Sequence, residues 1–285
     1  MAKKSLLFKR EVERIKDVKE TLKALEKISS ANLHFWRKVQ RIQKEYDEKL
    51  KMIISEFGEL EFESPFFKEN EVEKQLKVVF SVEGKFCGKI LNPLLDFVEI
   101  NLKKGDEILI VGERGKNLLE ERNVKIDYFF KSKREIPTEK DIREIKNFII
   151  SGFLGKKWRK ILVFYIEFES LASQKPKVFE FLPFNFQFLK EKIEKKEILG
   201  FPIFEPSRKE VFDFLIKEYL EFSLYEKILE TKLSEIVARS ISLEEAGEKA
   251  DELIYQINLQ FLKTKRESIT REVTELFSHK ILIKK

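Results

Sequence analysis

The chain has little cysteine, histidine, proline and glycine, and each scarcity excludes a class of structure. Its one cysteine, Cys87, excludes an internal disulfide and fits a reducing compartment. Two histidines, His34 and His279, lie at opposite ends and leave too few ligands for a zinc site. No segment approaches 18 uninterrupted apolar residues, so nothing in the sequence predicts a membrane span. We expect neither a metal nor a cofactor.

All seven prolines lie between Pro65 and Pro206. Residues 1–64 and 207–285 contain one glycine each, Gly58 and Gly247. Because proline removes a backbone donor and clashes with the preceding turn, these two ends can form uninterrupted helices, roughly 90 Å and 120 Å long at 1.5 Å per residue. We therefore predict helices within 1–64 and 207–285, with a globular domain at 65–206.

Both ends carry apolar residues at helical spacing. The N-terminal stripe comprises Phe8, Val12, Ile15, Val18, Leu22, Leu25 and Ile28, then Val39, Ile42, Tyr46, Leu50, Ile53 and Phe57. The C-terminal stripe comprises Leu229, Leu233, Ile236, Ser240, Leu243, Ala250, Leu253 and Ile257. A narrow seam of this kind predicts an antiparallel coiled coil of residues 10–57 and 208–276, in which Leu25 and Ile28 face the C-terminal helix. Amphipathic helices that cover a core are the alternative.

The centre alternates between strand and helix patterns. Strand-like runs cover 76–82, 106–111, 124–130 and 160–168, with a possible edge strand at 177–182, and helix patterns cover 89–102, 115–122 and 138–154. This order predicts an α/β fold with a Rossmann-like, largely parallel sheet. Ser207 and Glu210 stand at the positions of a capping box, so we expect the C-terminal helix to begin after Pro206.

The sequence contains no recognisable active site. Gly112 to Lys116 superficially resembles a phosphate loop, but two residues rather than four separate its glycines and Asn117 follows the lysine. A tight strand-to-helix turn is the better interpretation. Charged residues make up 37% of the chain with a net charge of only +6, and the lysines are dispersed, so we expect no nucleic-acid partner.

Several blocks, in the right order along nearly the whole chain, resemble the gamma subunit of F-type ATP synthases. Ser234 to Arg239 resembles the family's S-E-x-x-A-R. Lys265 to Leu276 resembles R-Q-x-x-I-T-x-E-[IL]-x-E-[IL], with Lys265 at the arginine and Arg266 at the glutamine. Lys23 to Asn32 stands where the family has K-A-M-E-M-V-A-A-A-K, and Phe86 to Asn92 resembles L-C-G-G-L-N with one extra residue. The departures include Leu25 and Lys27 at the family's methionines.

The resemblance implies a non-catalytic rotor in the central stalk of a proton-translocating ATP synthase, peripheral to the cytoplasmic side of a bacterial cell membrane. Its partners would be the alpha and beta subunits, the epsilon subunit and the membrane ring of c subunits. The resemblance places contacts to the catalytic subunits at Leu25, Lys265, Arg266, Ser268, Thr270, Arg271 and Glu272. It places contacts to the membrane ring at Phe204 and Glu205, where a buried turn is the alternative. A coiled-coil scaffold or binding module unrelated to ATP synthesis is the rival function.

Overall fold

The computed structural model describes residues 2–55, 57, 65–131, 138–185 and 203–282, with side chains described from residue 6 to residue 276 within those ranges. The chain divides into two compact units. The helical unit consists of Met1–Ala31 and Arg239–Lys285, and the sheet unit is Asn32–Ala238.

Helices and strands alternate as the sequence predicts. Two long helices, α1 (Ala2–Ser55) and α5 (Arg208–Leu282), contribute to both units. The elements between them are the 3-10 helix Pro65–Phe67, β1 (Leu76–Phe80), α2 (Leu91–Ile100), β2 (Glu107–Val111), α3 (Glu113–Glu121), β3 (Tyr128–Phe130), α4 (Glu139–Leu154), β4 (Ile161–Phe168) and β5 (Gln174–Leu182). The third strand is shorter than predicted, since it begins at Tyr128 rather than at Val124.

The sheet has the order β3-β2-β1-β4-β5, in which the first four strands are parallel. The edge strand β5 runs antiparallel to β4. The direction of strand addition reverses at β1, because β2 lies on one side of it and β4 on the other. This is the Rossmann-like topology that the sequence predicts, and the reversal is the point at which open α/β sheets ordinarily bind ligands.

Strand side chains alternate between two cores, as the period of two in a strand requires. Val78 and Val163 belong to the core that contains α4 and parts of α1 and α5. Val79 and Phe164 belong to the core beneath α2 and α3. The sheet is therefore buried on both faces, which explains the continuous apolar runs that identify its strands in the sequence.

The start of α5 confirms the predicted cap. The Ser207 hydroxyl oxygen accepts from the Glu210 N–H at 3.2 Å and also contacts the Glu210 carboxylate at 3.2 Å. A full capping box forms at α4, where Thr138 accepts from the Asp141 N–H and the Asp141 carboxylate accepts from the Thr138 N–H. Each cap satisfies backbone donors that the first turn of a helix leaves open.

In the helical unit, α1 and α5 pair antiparallel, as predicted. The ring of Phe8 lies 6.2 Å from that of Phe261, and the Lys19 ammonium group contacts the Asp251 carboxylate. Covered positions of α1 recur at alternating steps of four and three, with Leu25 as an additional partly buried position beside them: Phe8, Val12, Ile15, Lys19, Leu22, Glu26 and Ser29. Such a 3.5-residue period is typical of a coiled coil.

The prediction is therefore wrong for two seam residues of α1 and for Leu253 of the α5 stripe, which is 49% exposed. Val18 and Ile28 are 56% and 58% exposed, whereas Ser29 is 3% exposed and Leu25 is partly buried. The predicted stripe repeats steps of three and drifts off the 3.5-residue period, while the real seam keeps that period by accepting polar residues. Ile28 lies on the outer face, contrary to the prediction.

The buried positions of α1 also differ from the predicted seam where α1 and α5 pair in the sheet unit. Ile42 and Ile53 are exposed, although the sequence assigns them to the seam, and Asp47, Leu50 and Ile54 are buried. Tyr46 is half exposed, but its ring lies 4.9 Å from that of Phe222 on α5. Further along the pair, a small core forms from Leu33, Trp36 and Val39 of α1, Leu229, Leu233 and Val237 of α5, and Phe168 of β4.

Candidate functional site

The polar residues near the end of α5 form an exposed helix face. Lys265, Arg266, Thr270, Arg271 and Glu272 are exposed, and Ser268 is partly buried. Arg266, Glu267, Thr270, Arg271 and Thr274 line a shallow depression. These side chains are therefore available to a partner.

Bonds within this face are local to the helix. The Thr270 hydroxyl donates to the Arg266 carbonyl at 3.0 Å, and Arg271 Nε donates to Glu275 Oε1 at 3.0 Å. The Arg271 and Glu275 side chains are 76% and 63% exposed, so their ion pair is a weak one that a partner carboxylate could replace. Charge-assisted bonds to such a carboxylate would be about twice as strong as neutral ones.

The two predicted contact residues in the turn before α5, Phe204 and Glu205, differ in their exposure to solvent. Phe204 is partly buried, and its ring lies 4.8 Å from that of Phe57 and 5.6 Å from the guanidinium of Arg208. Glu205 is exposed. The residue that presents apolar surface here is Ile203, which is 90% exposed. Phe204 thus belongs to an internal cluster, whereas Ile203 and Glu205 are on the surface.

The glycine-rich turn after β2 is a strand-to-helix junction, as the sequence suggests. Gly112 has φ of 115°, and a Cβ there would lie 2.4 Å from Ser81 Oγ. The Glu83 carboxylate accepts from the Glu113 N–H at 3.1 Å, so an internal carboxylate occupies the start of α3. Burial raises the pKa of Glu83, and the carboxylates of Glu113 and Glu235 raise it further. An anionic phosphate would have to displace this group.

The carboxyl edge of the sheet at the reversal point is filled by α5. Ten consecutive residues of this helix, numbers 228–237, are buried. Thr231 Oγ1 accepts from the Ile166 N–H of β4 at 3.1 Å, and Glu235 Oε2 accepts from the Glu83 N–H after β1 at 3.3 Å. The place where α/β enzymes bind nucleotides is thus occupied by the chain's own helix.

Beside these residues, α5 carries buried charges that pair with one another. Lys227 Nζ lies 3.1 Å from Glu226 and 3.2 Å from Glu230, and 4.9 Å from the centre of the Tyr165 ring. Burial raises the pKa of Tyr165 to about 12. The pKa of Glu230 is also raised by burial, against the lowering effect of Lys227. These groups lie between α5 and the sheet and contribute to the contact between the two.

Sequence reasoning missed the residues that join α5 to the sheet. Ser234 and Glu235 fall in the block that resembles the family motif, but that resemblance carries no information about what they touch. The available signal was the polar triplet Thr231, Ser234 and Glu235 amid the apolar residues of the stripe. A polar group in a fully buried stretch needs a partner, and here the partner is the sheet.

Comparison with known proteins identifies the family. A family model described as ATP synthase matches residues 7–279, so the chain belongs to the ATP synthase family. Within the described residues, no helix combines the length and apolar character that a membrane span requires.

The curated relatives are gamma chains. The ATP synthase gamma chain of Aquifex aeolicus is 27% identical over 283 residues, which cover 94% of each chain. That of Mycoplasmopsis pulmonis is 25% identical over 266 residues, which cover 92% of this chain and 93% of that one. The identification with the gamma subunit that the sequence motifs predict is confirmed.

Solved structures share the fold. A chain of the Euglena gracilis mitochondrial ATP synthase rotor in rotational state 1 matches with a TM-score of 0.66 at 14% identity, covering 94% of this chain and 100% of that one. A chain of the Tetrahymena thermophila mitochondrial ATP synthase central stalk and c-ring matches with a TM-score of 0.58 at 17% identity, covering 79% and 99%. The predicted fold, two long terminal helices around a Rossmann-like domain, is confirmed.

Proposed function

We propose that the chain is the non-catalytic rotor of the central stalk in a proton-translocating F-type ATP synthase. Its partners are the alpha and beta subunits, the epsilon subunit and the c ring, and it is peripheral to the cytoplasmic side of a bacterial cell membrane. Rotation of the ring turns the chain, and the chain changes the relative stability of the conformations of each catalytic subunit in sequence.

The observation that carries this proposal is the occupied carboxyl edge of the sheet. An α/β enzyme keeps the reversal point open for a ligand, but Thr231 and Glu235 of α5 fill it here. The sheet therefore holds a helix in place. A helix of 75 residues that is anchored in this way suits the transmission of torque better than chemistry.

The proposed contacts to the catalytic subunits are those at Leu25 and along the exposed face of α5. The seven residues are Leu25, Lys265, Arg266, Ser268, Thr270, Arg271 and Glu272. As a rotor turns, each contact must be exchanged for another, so dispersed polar donors suit it better than a deep apolar surface. At the turn before α5, Glu205 supplies the proposed contact to the ring and Phe204 supports it from within.

Co-purification tests the proposal. An affinity tag is inserted at Gly105, where nothing lies within 4 Å of the added Cβ position, and the chain is expressed with its own organism's alpha, beta and epsilon subunits. We expect the tagged chain to bring down an alpha–beta assembly with ATPase activity. Recovery of the folded chain alone, from cells that contain the assembled partners, would favour the rival function of an unrelated scaffold.

A further inference from the structure

The strand β4 extends beyond its neighbour β1. The register between them runs from Leu76–Ile161 to Val79–Phe164, β1 ends at Phe80, and β4 continues to Phe168. Ile166 is 2% exposed and stands opposite Pro176 of β5, which has no N–H to donate. Pro176 cannot donate to the Ile166 carbonyl, and β1 ends at Phe80, before the position that would pair with Ile166. The buried N–H and C=O of Ile166 therefore need partners other than these two strands, because buried peptide groups are almost always paired.

Two hydroxyls of α5 provide those partners. Thr231 Oγ1 accepts from the Ile166 N–H at 3.1 Å. The Ser234 hydroxyl lies 2.9 Å from the Glu230 carbonyl oxygen and 3.4 Å from the Ile166 carbonyl oxygen, so its contact with the strand is the longer of the two. Because residues three apart lie on the same face of a helix, the two hydroxyls together take the place of the missing residue of β1.

A carboxylate makes the third connection. Glu235, which is 1% exposed, accepts from the Glu83 N–H through Oε2 at 3.3 Å and from Lys232 Nζ through Oε1 at 2.9 Å. Glu83 in turn accepts from the Glu113 N–H at the start of α3. Polar bonds therefore link α5, the end of β1 and α3 in succession.

We propose that Thr231, Ser234 and Glu235 form a latch that fixes α5 on the carboxyl edge of the sheet and carries torque between the two. This inference rests on the proposed rotor function and names the residues that position the helix for it. Apolar contacts are non-directional, so a helix held by them alone can slide or turn on a sheet. Hydrogen bonds are directional, and a shift of one turn would leave the N–H and C=O of Ile166 and the N–H of Glu83 buried without partners.

The test uses the holoenzyme reconstituted in vesicles, with proton pumping and ATP hydrolysis measured together. Thr231→Val keeps the shape of the side chain and removes its hydroxyl, and Ser234→Ala removes the second. We expect the double variant to hydrolyse ATP in the absence of a gradient within twofold of wild type. We expect the protons pumped per ATP to fall at least twofold as the gradient builds, because the helix slips under load.

Two controls separate the latch from general stability. Thr231→Ser retains the hydroxyl and should restore pumping. Thr21→Val, on the exposed face of α1, removes a threonine hydroxyl that donates to the carbonyl four residues earlier, as Thr231 also does, but that has no strand partner. Pumping by this variant should equal that of wild type.

If the double variant assembles to wild-type levels and pumps as many protons per ATP as wild type, the latch proposal is overturned. If the double variant does not assemble, the single Thr231→Val variant decides: reduced pumping per ATP that Thr231→Ser restores supports the latch, and unchanged pumping overturns it. Failure of the wild-type chain to assemble with its partners would instead overturn the proposed function, before any variant is compared.

Discussion

The ammonium nitrogen of Lys77 lies 3.4 Å from a carboxylate oxygen of Asp106, and each side chain is 3% exposed. Lys77 Nζ also donates to Gln75 Oε1 at 2.7 Å, and the Asp106 carboxylate accepts from the N–H groups of Gln75 and Lys103. Burial lowers the pKa of Lys77, against the raising effect of Asp106. This pair connects β1 to the turn that precedes β2.

We expect Lys77→Met to destabilise the chain by about 3 kcal/mol, because it leaves the Asp106 charge buried without its partner. The urea midpoint of the isolated chain measures the loss. Arg41→Met, which breaks an ion pair whose side chains are 85% and 63% exposed, is the matched control and should cost less than about 1 kcal/mol. Equal midpoints for the two variants would contradict this role for the buried pair.

Replacing each of two helical glycines, Gly247 and Gly152, with alanine should have opposite effects on the stability of the chain. A Cβ at Gly247 of α5 would meet nothing within 4 Å, whereas one at Gly152 of α4 would lie 2.1 Å from the Trp158 ring. Gly247→Ala should stabilise by roughly 0.5–1 kcal/mol, because alanine has less backbone entropy to lose.

Gly152→Ala should destabilise the chain, because Trp158 is fully buried and cannot move aside without disturbing the core. Chemical unfolding of both variants beside wild type is the measurement. If both variants changed the free energy of unfolding in the same direction, the contacts at these positions would not be what determines the effect of alanine.

The carboxyl group of Asp47 predicts a pH effect on stability. Asp47 is 8% exposed, and burial raises its pKa, against the lowering by a hydrogen bond from Lys51. Between the unfolded pKa near 4 and the raised folded pKa, the folded chain binds more protons than the unfolded chain. The free energy of unfolding therefore falls as the pH rises through this window.

Asp47→Asn should remove this contribution and make the free energy of unfolding less dependent on pH just above pH 4. Glu83 and Glu230, whose pKa values are also raised, keep part of the slope. Unfolding followed from pH 4 to pH 7 tests the change. A slope in the variant equal to that of wild type would refute the assignment to Asp47.

The exposed cations of α5 predict a kinetic effect. Replacing Arg266 and Arg271 together with alanine should lower the ATPase turnover of the reconstituted complex while leaving the chain folded, because the lost donors face the proposed partner. The paired variant Lys103→Ala and Lys104→Ala removes two exposed cations from the sheet unit and serves as the control for net charge. Unchanged turnover with assembly intact would make the Arg266 segment an ordinary solvated face.

The sequence predicted the order of elements because local signals set it. A buried strand such as β2 has a continuous apolar run, and helices as long as α1 and α5 need the absence of proline. The helix seam was less predictable, because a coiled coil keeps its period even where a polar residue such as Lys19 or Ser29 occupies it. A prediction from apolar residues alone therefore places Val18 and Ile28 in the seam, although both are exposed.

The polar triplet marks the joining residues in the sequence, but what they contact could not be predicted from it. Thr231 and Ser234 look like ordinary polar positions of a helix, and their partner Ile166 lies 65 and 68 residues away along the chain. What gives them a role is the early end of β1, which depends on the register of the whole sheet. The contact of Phe204 with Phe57 could not be predicted for the same reason, since Phe57 lies far away along the chain, before the globular segment.

Single-molecule rotation tests the central claim most directly. Cys87 is buried, so a cysteine introduced for Ile100, which is 81% exposed, gives one accessible thiol for a probe. With the catalytic subunits fixed to a surface and ATP supplied, we predict that the probe turns in one direction at a rate that follows ATP hydrolysis. A probe that stays still or fluctuates without direction, while the same complexes hydrolyse ATP, would contradict the account.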